Sequence, residues 1–211
     1  MHSIGRSCDF CDQPAQYVDS HTGQAICLAH ARLEVRARPP HGQGQPRGAP
    51  LHIRLARPSD RRAIQALALH FWDETDMDCF GREYHMLDLP SYVACDADQV
   101  VGCITLGEDM AEGALTIVML NILPGYNGRG AGRALVASAE AHARALNLPL
   151  LRVATSNDNL LALYFYQRLG FVISGVLPGA ISDHLEAGLR GLADIPIRDE
   201  VQLERPVRPV N

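Results

Sequence analysis

The chain has 211 residues, 47% of them apolar, and a net charge of −5, enough to bury one sizeable core with length to spare. The mild charge gives no electrostatic case for a nucleic-acid partner, and no apolar run approaches the ~18 residues of a membrane-spanning helix. The first ten residues lack the basic and then apolar stretches of a secretory signal, so the expectation is a soluble, cytoplasmic protein without a membrane partner.

In chain order, residues 1–35 are polar and too short to fold on an apolar core alone. Within them Cys8-x2-Cys11 and Cys27-x2-His30 frame a gap of 15 residues. Each pair lets one short knuckle offer two ligands, and three thiolates with one imidazole suit tetrahedral Zn²⁺. Metal binding would supply the folding energy this segment lacks, and four protein ligands make the site structural rather than catalytic. His21 is a rival ligand without a paired neighbour. The pattern resembles zinc fingers of the treble-clef or ribbon type. What such a module recruits, a protein or a nucleic acid, is left open by the residues. Residues 36–50, rich in Pro, Gly, Gln and Arg, hold no helix or strand period and read as a linker.

Periodic sequence begins at Leu51. Residues 51–56 alternate as a strand. Ser59 or Asp60 then caps a helix that runs to about Trp72. Residues 73–90 read as a second short helix with loops. Strands follow at 91–95 and 100–106, flanking a turn at 96–99, and a long β-branched strand occupies 115–123. A helix over 130–146, a strand over 150–155, a helix over 159–169 and strands at 171–176 and 200–203 complete the order, leaving a short tail at 207–211. Strands mixed with helices in this way predict an α/β unit with a mixed sheet over 51–206. Cys79, Cys95 and Cys103 read as small core residues.

The stretch Ile122-Leu123-Pro124-Gly125-Tyr126-Asn127-Gly128-Arg129-Gly130-Ala131-Gly132-Arg133 carries the first chemical signal. A strand ends in Pro, passes through a glycine-rich turn and opens into a long helix. The free N–H groups of that helix's first turn, with the positive end of its dipole, form an anion site. Arg129 and Arg133 add charge beside it, so a pyrophosphate suits it. No Gly-Lys-Ser/Thr follows, and the GxGxxG spacing is missing, so neither a P-loop nor a dinucleotide fingerprint fits. The second signal is Asn159-x2-Ala162-x3-Tyr166-x3-Gly170-Phe171. Asn159, Ala162 and Tyr166 share one helix face, and Gly170 sits where a left-handed helix terminator belongs.

Together these segments resemble the two motifs of the GNAT superfamily of N-acetyltransferases, with Asn127 in place of the usual Gln or Arg. The resemblance implies a twisted, mostly antiparallel sheet flanked by helices, and acetyl-CoA as cosubstrate. It implies cofactor contacts from Leu120, Ile122, residues 127–133 (Asn127, Gly128, Arg129, Gly130, Ala131, Gly132 and Arg133), Asn159 and Tyr166. Tyr166 would protonate the departing CoA thiolate. A protonated amine must also lose its proton before attack. Candidate bases are Glu108, Asp109 and Glu112, then His85 and Glu83, the segment 196–200, or a water relay. The function implied is acetyl transfer to a primary amine of a small molecule or protein by direct attack. The alternative is an acyl-CoA sensor whose zinc module recruits a partner. Homodimers are common in the superfamily, so a homodimer is expected by analogy.

Overall fold

The computed structural model describes residues 17–18, 25–26, 51–181 and 189–208. The zinc ligands Cys8, Cys11, Cys27 and His30, the rival His21 and the linker lie outside the described residues. Between the two ligand pairs in sequence, β1 (Tyr17–Val18) and β2 (Ala25–Ile26) pair antiparallel, with Tyr17 opposite Ile26.

The remaining strands and helices, in chain order, are β3 (His52–Leu55), α1 (Arg61–Trp72), β4 (Asp76–Cys79), β5 (Arg82–His85), β6 (Ser91–Asp96), β7 (Gln99–Asp109), β8 (Ala114–Ile122), α2 (Ala131–Ala145), β9 (Leu150–Ser156), α3 (Leu160–Arg168), β10 (Val172–Leu177) and β11 (Glu200–Pro206). Seven strands form one sheet in the order β10-β11-β9-β8-β7-β6-β3. Every neighbouring pair in it is antiparallel except β8 with β9. The expected mixed, mostly antiparallel sheet flanked by helices is therefore present.

Two apolar layers cover the faces. On one side α2 and α3 bury Leu135, Val136, Ala139 and Ala162 against Ile104, Leu115, Ile117, Leu151 and Leu203. On the other, α1 buries Ile64, Leu67, Ala68 and Phe71 against Val93, Cys95, Cys103, Val118 and Met119. The three described cysteines are free and buried, as core residues should be.

One expected element is absent. Residues 73–90 form a β4–β5 hairpin and a 3-10 turn at Met86–Asp88 in place of a short helix. The hairpin turns through Phe80 and Gly81, both at positive φ (54° and 68°), as a tight two-residue turn demands. Asp73, itself left-handed, has already stopped α1. Strand β7 extends to Asp109, three residues beyond the expected end. The carboxylates at 108–109 thus lie on a strand rather than in a turn.

Candidate active site

The parallel ladder between β8 and β9 is short. It runs from Ala114–Leu150 to Ile117–Val153 and stops. Beyond that point β8 continues through Val118–Ile122 and β9 through Ala154–Ser156. At the same level the β7–β8 register slips: Thr105 faces Met119 while Leu106 faces Ile117, leaving Val118 as a bulge. A bulge bends its strand and re-aims backbone groups. The result is a fork in the middle of the sheet. Five residues of β8, about 16 Å of strand, carry a polar backbone edge with no ladder partner on the β9 side. Such an edge accepts an extended ligand with amide groups of its own.

The open stretch leads into the glycine turn. Leu123 to Asn127 make a 3-10 turn, in which the Asn127 amide donates to the Pro124 carbonyl at 3.1 Å. Gly128 and Gly130 then take φ of 76° and 86°, a conformation that favours glycine. Gly130 is the N-cap of α2, and no side chain caps the helix. The amides of the first turn are therefore left for an anion. Gly132 has another duty: a Cβ there would stand 3.1 Å from the Phe165 ring, so this glycine sets how closely α2 and α3 approach. Arg129 turns aside, pairing with Asp96 at 3.4 Å and lying over the Tyr126 ring. Arg133 is exposed.

Helix α3 faces the fork from the α2 side. Asn159 is its N-cap: its Oδ1 accepts from the Ala162 amide at 3.1 Å, and its Nδ2 donates to Thr155 Oγ1 at 2.9 Å. This ties the helix start to the diverging end of β9. Tyr166 is buried in the apolar layer that also takes in Leu120, Ile122 and Ala131. It meets Phe165 and Phe171 edge-on at 5.1 and 5.3 Å. Burial pushes its hydroxyl well above the usual phenol range, so the group stays protonated as a donor. Gly170 ends the helix at φ 85°.

The candidate bases do not gather here. Glu108 binds His142 Nε2 at 2.8 Å on the α2 side. Asp109 is held by the Glu112 amide, Arg82 and Arg152, which together keep its carboxyl below the usual range and make it a poor proton acceptor. Glu112 pairs with Arg152. All three stand at the closed end of the β7–β8 hairpin, with Asp109 about 13 Å along the strand from the bulge. His85 pairs with Asp76 in solvent, and Glu83 is exposed.

A different carboxylate stands near the open end. Glu200 opens β11 opposite Ser156, the last residue of β9. It is buried, and it accepts from Gln202 Nε2 at 2.7 Å and from the Phe80 amide at 3.4 Å. The Phe80 contact puts Glu200 on the α1 face, opposite Tyr166. Phe80 also lays its ring over the Arg152 guanidinium, 4.5 Å away. A bulky residue at positive φ is strained, and here the strain sits where the hairpin tip meets Glu200. Beside the opening, the Asn121 amide, oriented to satisfy its neighbours, accepts from Trp72 Nε1 at 2.8 Å. Sequence reasoning reached Glu200 only as part of the segment 196–200, and it missed Phe80. The signal available was the alternation of 76–79 and 82–85 about a two-residue, Gly-containing turn.

A model of the acetyltransferase (GNAT) family matches residues 60–171, a span that takes in the fork, the glycine turn and α3. The uncharacterised protein YxbD of Bacillus subtilis (strain 168) is 30% identical over 150 residues, covering 69% of this chain and 92% of its own. Streptothricin acetyltransferase of Streptomyces lavendulae is 26% identical over 161 residues, covering 61% and 85% respectively. Among solved structures, a Bacillus subtilis acetyltransferase in complex with CoA superposes with a TM-score of 0.59 at 20% identity, over 75% of this chain and 99% of that one, a likeness of fold.

Proposed function

The chain belongs to the acetyltransferase (GNAT) family, and on that premise we propose that it moves an acetyl group from acetyl-CoA to a primary amine by direct attack in a ternary complex. The observation that carries this reading is the conjunction of the β8–β9 fork with an uncapped helix start directly downstream of it. Acetyl-CoA supplies an activated thioester, an arm with two amides and a pyrophosphate. The open edge of β8, with Leu120 and Ile122, suits the arm, and the amides from Asn127 to Arg133 suit the pyrophosphate. Arg129 and Asn159 contribute through the backbone they hold in place. Tyr166 donates its proton to the departing sulfur. Glu200 receives the amine and its proton on the opposite face, directly or through water.

Asp73, Glu74, Asp76 and Asp78 follow α1 and give this face a negative rim, which suits an acceptor that arrives protonated. A small cationic amine of the streptothricin kind is therefore the first acceptor to try. Calorimetry with acetyl-CoA tests the core of the reading. Wild type should bind in the micromolar range, and Gly130→Glu, which sets a carboxylate at the helix start, should abolish binding. A well-folded wild type that ignores acetyl-CoA would overturn the transferase assignment.

Cys8, Cys11, Cys27 and His30 are proposed to hold one structural Zn²⁺ in a module over 1–35, joined by a linker over 36–50 to the transferase domain over 51–206. The paired spacing supports this, as does the β1–β2 hairpin between the two pairs. Metal analysis should return one zinc per chain, lost in Cys8→Ser; a metal-free wild type would rule it out. Among the described residues no helix is long and apolar enough to cross a membrane. A cytoplasmic homodimer, with a protein or nucleic-acid target for the module, completes the proposal.

A further inference from the structure

The lobe over residues 189–197 is apolar, yet it belongs to neither face of the sheet. Leu189, Leu192, Ile195, Pro196 and Ile197 crowd into this short span, and none of them joins the two apolar layers that flank the strands. Leu189 is 42% exposed. Backbone bonds close the lobe on itself: the Gly191 amide donates to the Ile195 carbonyl at 2.9 Å, and the Ile197 amide to the Leu189 carbonyl at 3.1 Å. Its tip is a 3-10 turn, Leu192–Asp194, in which Asp194 takes a φ of 65°. Apolar surface held outside the core is what a docking partner covers.

The start of this same chain is seated there. The Cα atoms of β1 come within 8 Å of those of the tip. β1 and its partner β2 read Tyr-Val and Ala-Ile, apolar residues in an otherwise polar segment. The inner side of the lobe is bonded to the turn between β9 and α3. The Leu192 amide donates to Asp158 Oδ2 at 3.3 Å, and a Cβ on Gly191 would collide with that oxygen, so glycine lets the lobe lie against the buried carboxylate. Asn157 donates to the Pro196 carbonyl and accepts from the Arg198 and Asp199 amides, each at 2.9 Å. Glu200 comes next in the chain.

We infer that the N-terminal β1–β2 hairpin docks in cis on the Leu192–Asp194 tip, so that the partner of the N-terminal module is this chain's own 189–197 lobe. The lobe then carries the state of the hairpin through Arg198 and Asp199 to Glu200. The contact stands on geometry; its effect on the amine rests on the transferase reading. Asn159 keeps its bonds to Thr155 and Ala162, which do not involve the lobe. Loss of docking therefore acts on the amine and not on acetyl-CoA.

Hydrogen exchange on the full chain reads the contact. Val18→Pro removes an amide and fixes φ in β1. In that variant the Gly191, Ile195 and Ile197 amides should exchange at least about tenfold faster than in wild type, while amides of β8 and β9 keep their rates. Unchanged exchange in the lobe would overturn the docking. A second measurement leaves the hairpin untouched: a photoreactive benzophenone residue at position 192 should link to the hairpin within the same molecule. Links only between molecules would assign the tip to a second copy and overturn docking in cis, as would the absence of any link to the hairpin. Val18→Pro should also raise KM for the amine about fivefold or more and leave the Kd for acetyl-CoA within about twofold. An unchanged KM in a variant whose lobe has lost protection would overturn the coupling to Glu200. A wild type that ignores acetyl-CoA would condemn the transferase reading, and exchange and photolinking would still decide the docking.

Discussion

Replacing Tyr166 by Phe isolates one oxygen atom. The ring is buried against Phe165 and Phe171, in the apolar layer that also takes in Leu120 and Ile122, so Phe keeps the packing, and melting should shift by no more than a couple of degrees on the scale of conservative buried changes. What disappears, on the proposed mechanism, is the proton offered to the departing thiolate. General acids contribute about 10²–10⁴-fold. A thiol is acidic enough, at a pKa of about 8.5, to leave with partial help, which favours the lower end of that range. The expected fall in kcat is therefore about 100-fold, or about 2.7 kcal/mol, while the Kd for acetyl-CoA stays within about twofold. Thiol release monitored with a chromogenic disulfide reads kcat, with the small cationic amines proposed above tried first; calorimetry reads Kd. Burial raises the phenol pKa, so wild-type kcat should show no loss from donor ionisation up to about pH 10, the unperturbed phenol value. A variant within about threefold of wild-type kcat would refute the donor role, and a basic limb near pH 8 would refute the argument from burial.

Glu200→Gln keeps the hydrogen-bonding shape beside Phe80 but removes the charge. It should lower kcat/KM for the amine about tenfold or more and flatten the acid limb of its pH profile; an unchanged limb would return the base role to water. Gly107→Ala sets a methyl group into the Tyr84 ring, which lies against this glycine's backbone. Overpacking of this sort costs about 1–3 kcal/mol, and chemical denaturation should show it. Arg54 grips Asp60 with two hydrogen bonds, at 2.6 and 3.0 Å, and holds its carboxyl below the usual range. Since the folded value is depressed, the stabilisation is complete above the unfolded value of about 3.9 and fades as pH falls through the folded one. The stability gap between wild type and Asp60→Asn should accordingly be level from pH 7 to about 5 and shrink below about 4.

The side proposed to hold the cofactor was legible as local structure in the sequence because its determinants are local. A glycine that must adopt positive φ announces itself, as do a helix start without a capping side chain and the Asn159–Tyr166 helix face. Strand β8 and helices α2 and α3 followed from period alone. The acceptor side was not legible, because it is assembled from distant pieces. The two hydrogen bonds that place Glu200 come from Gln202, close in sequence, and from Phe80, 120 residues away. Residues 73–90 misled because α1 ends in the polar run Asp73–Asp78, where short alternating segments carry little apolar contrast. Asp76 and Asp78 point to solvent, and within the two strands only Cys79 and Tyr84 are buried.

The carboxylates at 108, 109 and 112 show the same limit from the other direction. Sequence places acidic residues beside the central strands, and a transferase needs a base near those strands, so adjacency along the chain looked like adjacency to the chemistry. The fork reverses that inference. A parallel pair can open only at the end where its ladder stops, and here it stops at Ile117–Val153. Asp109 and Glu112 stand at the other end, where Arg82 holds Asp109 and where the Arg152 guanidinium reaches both acids from the pair next to the opening, its Nε donating to Thr116. Acids that brace the closed end cannot take a proton at the open one. The proposed acceptor of that proton lies where β9 and β11 run past the last parallel pair: among the described residues Glu200 is the buried carboxylate that accepts from the hairpin-tip amide there.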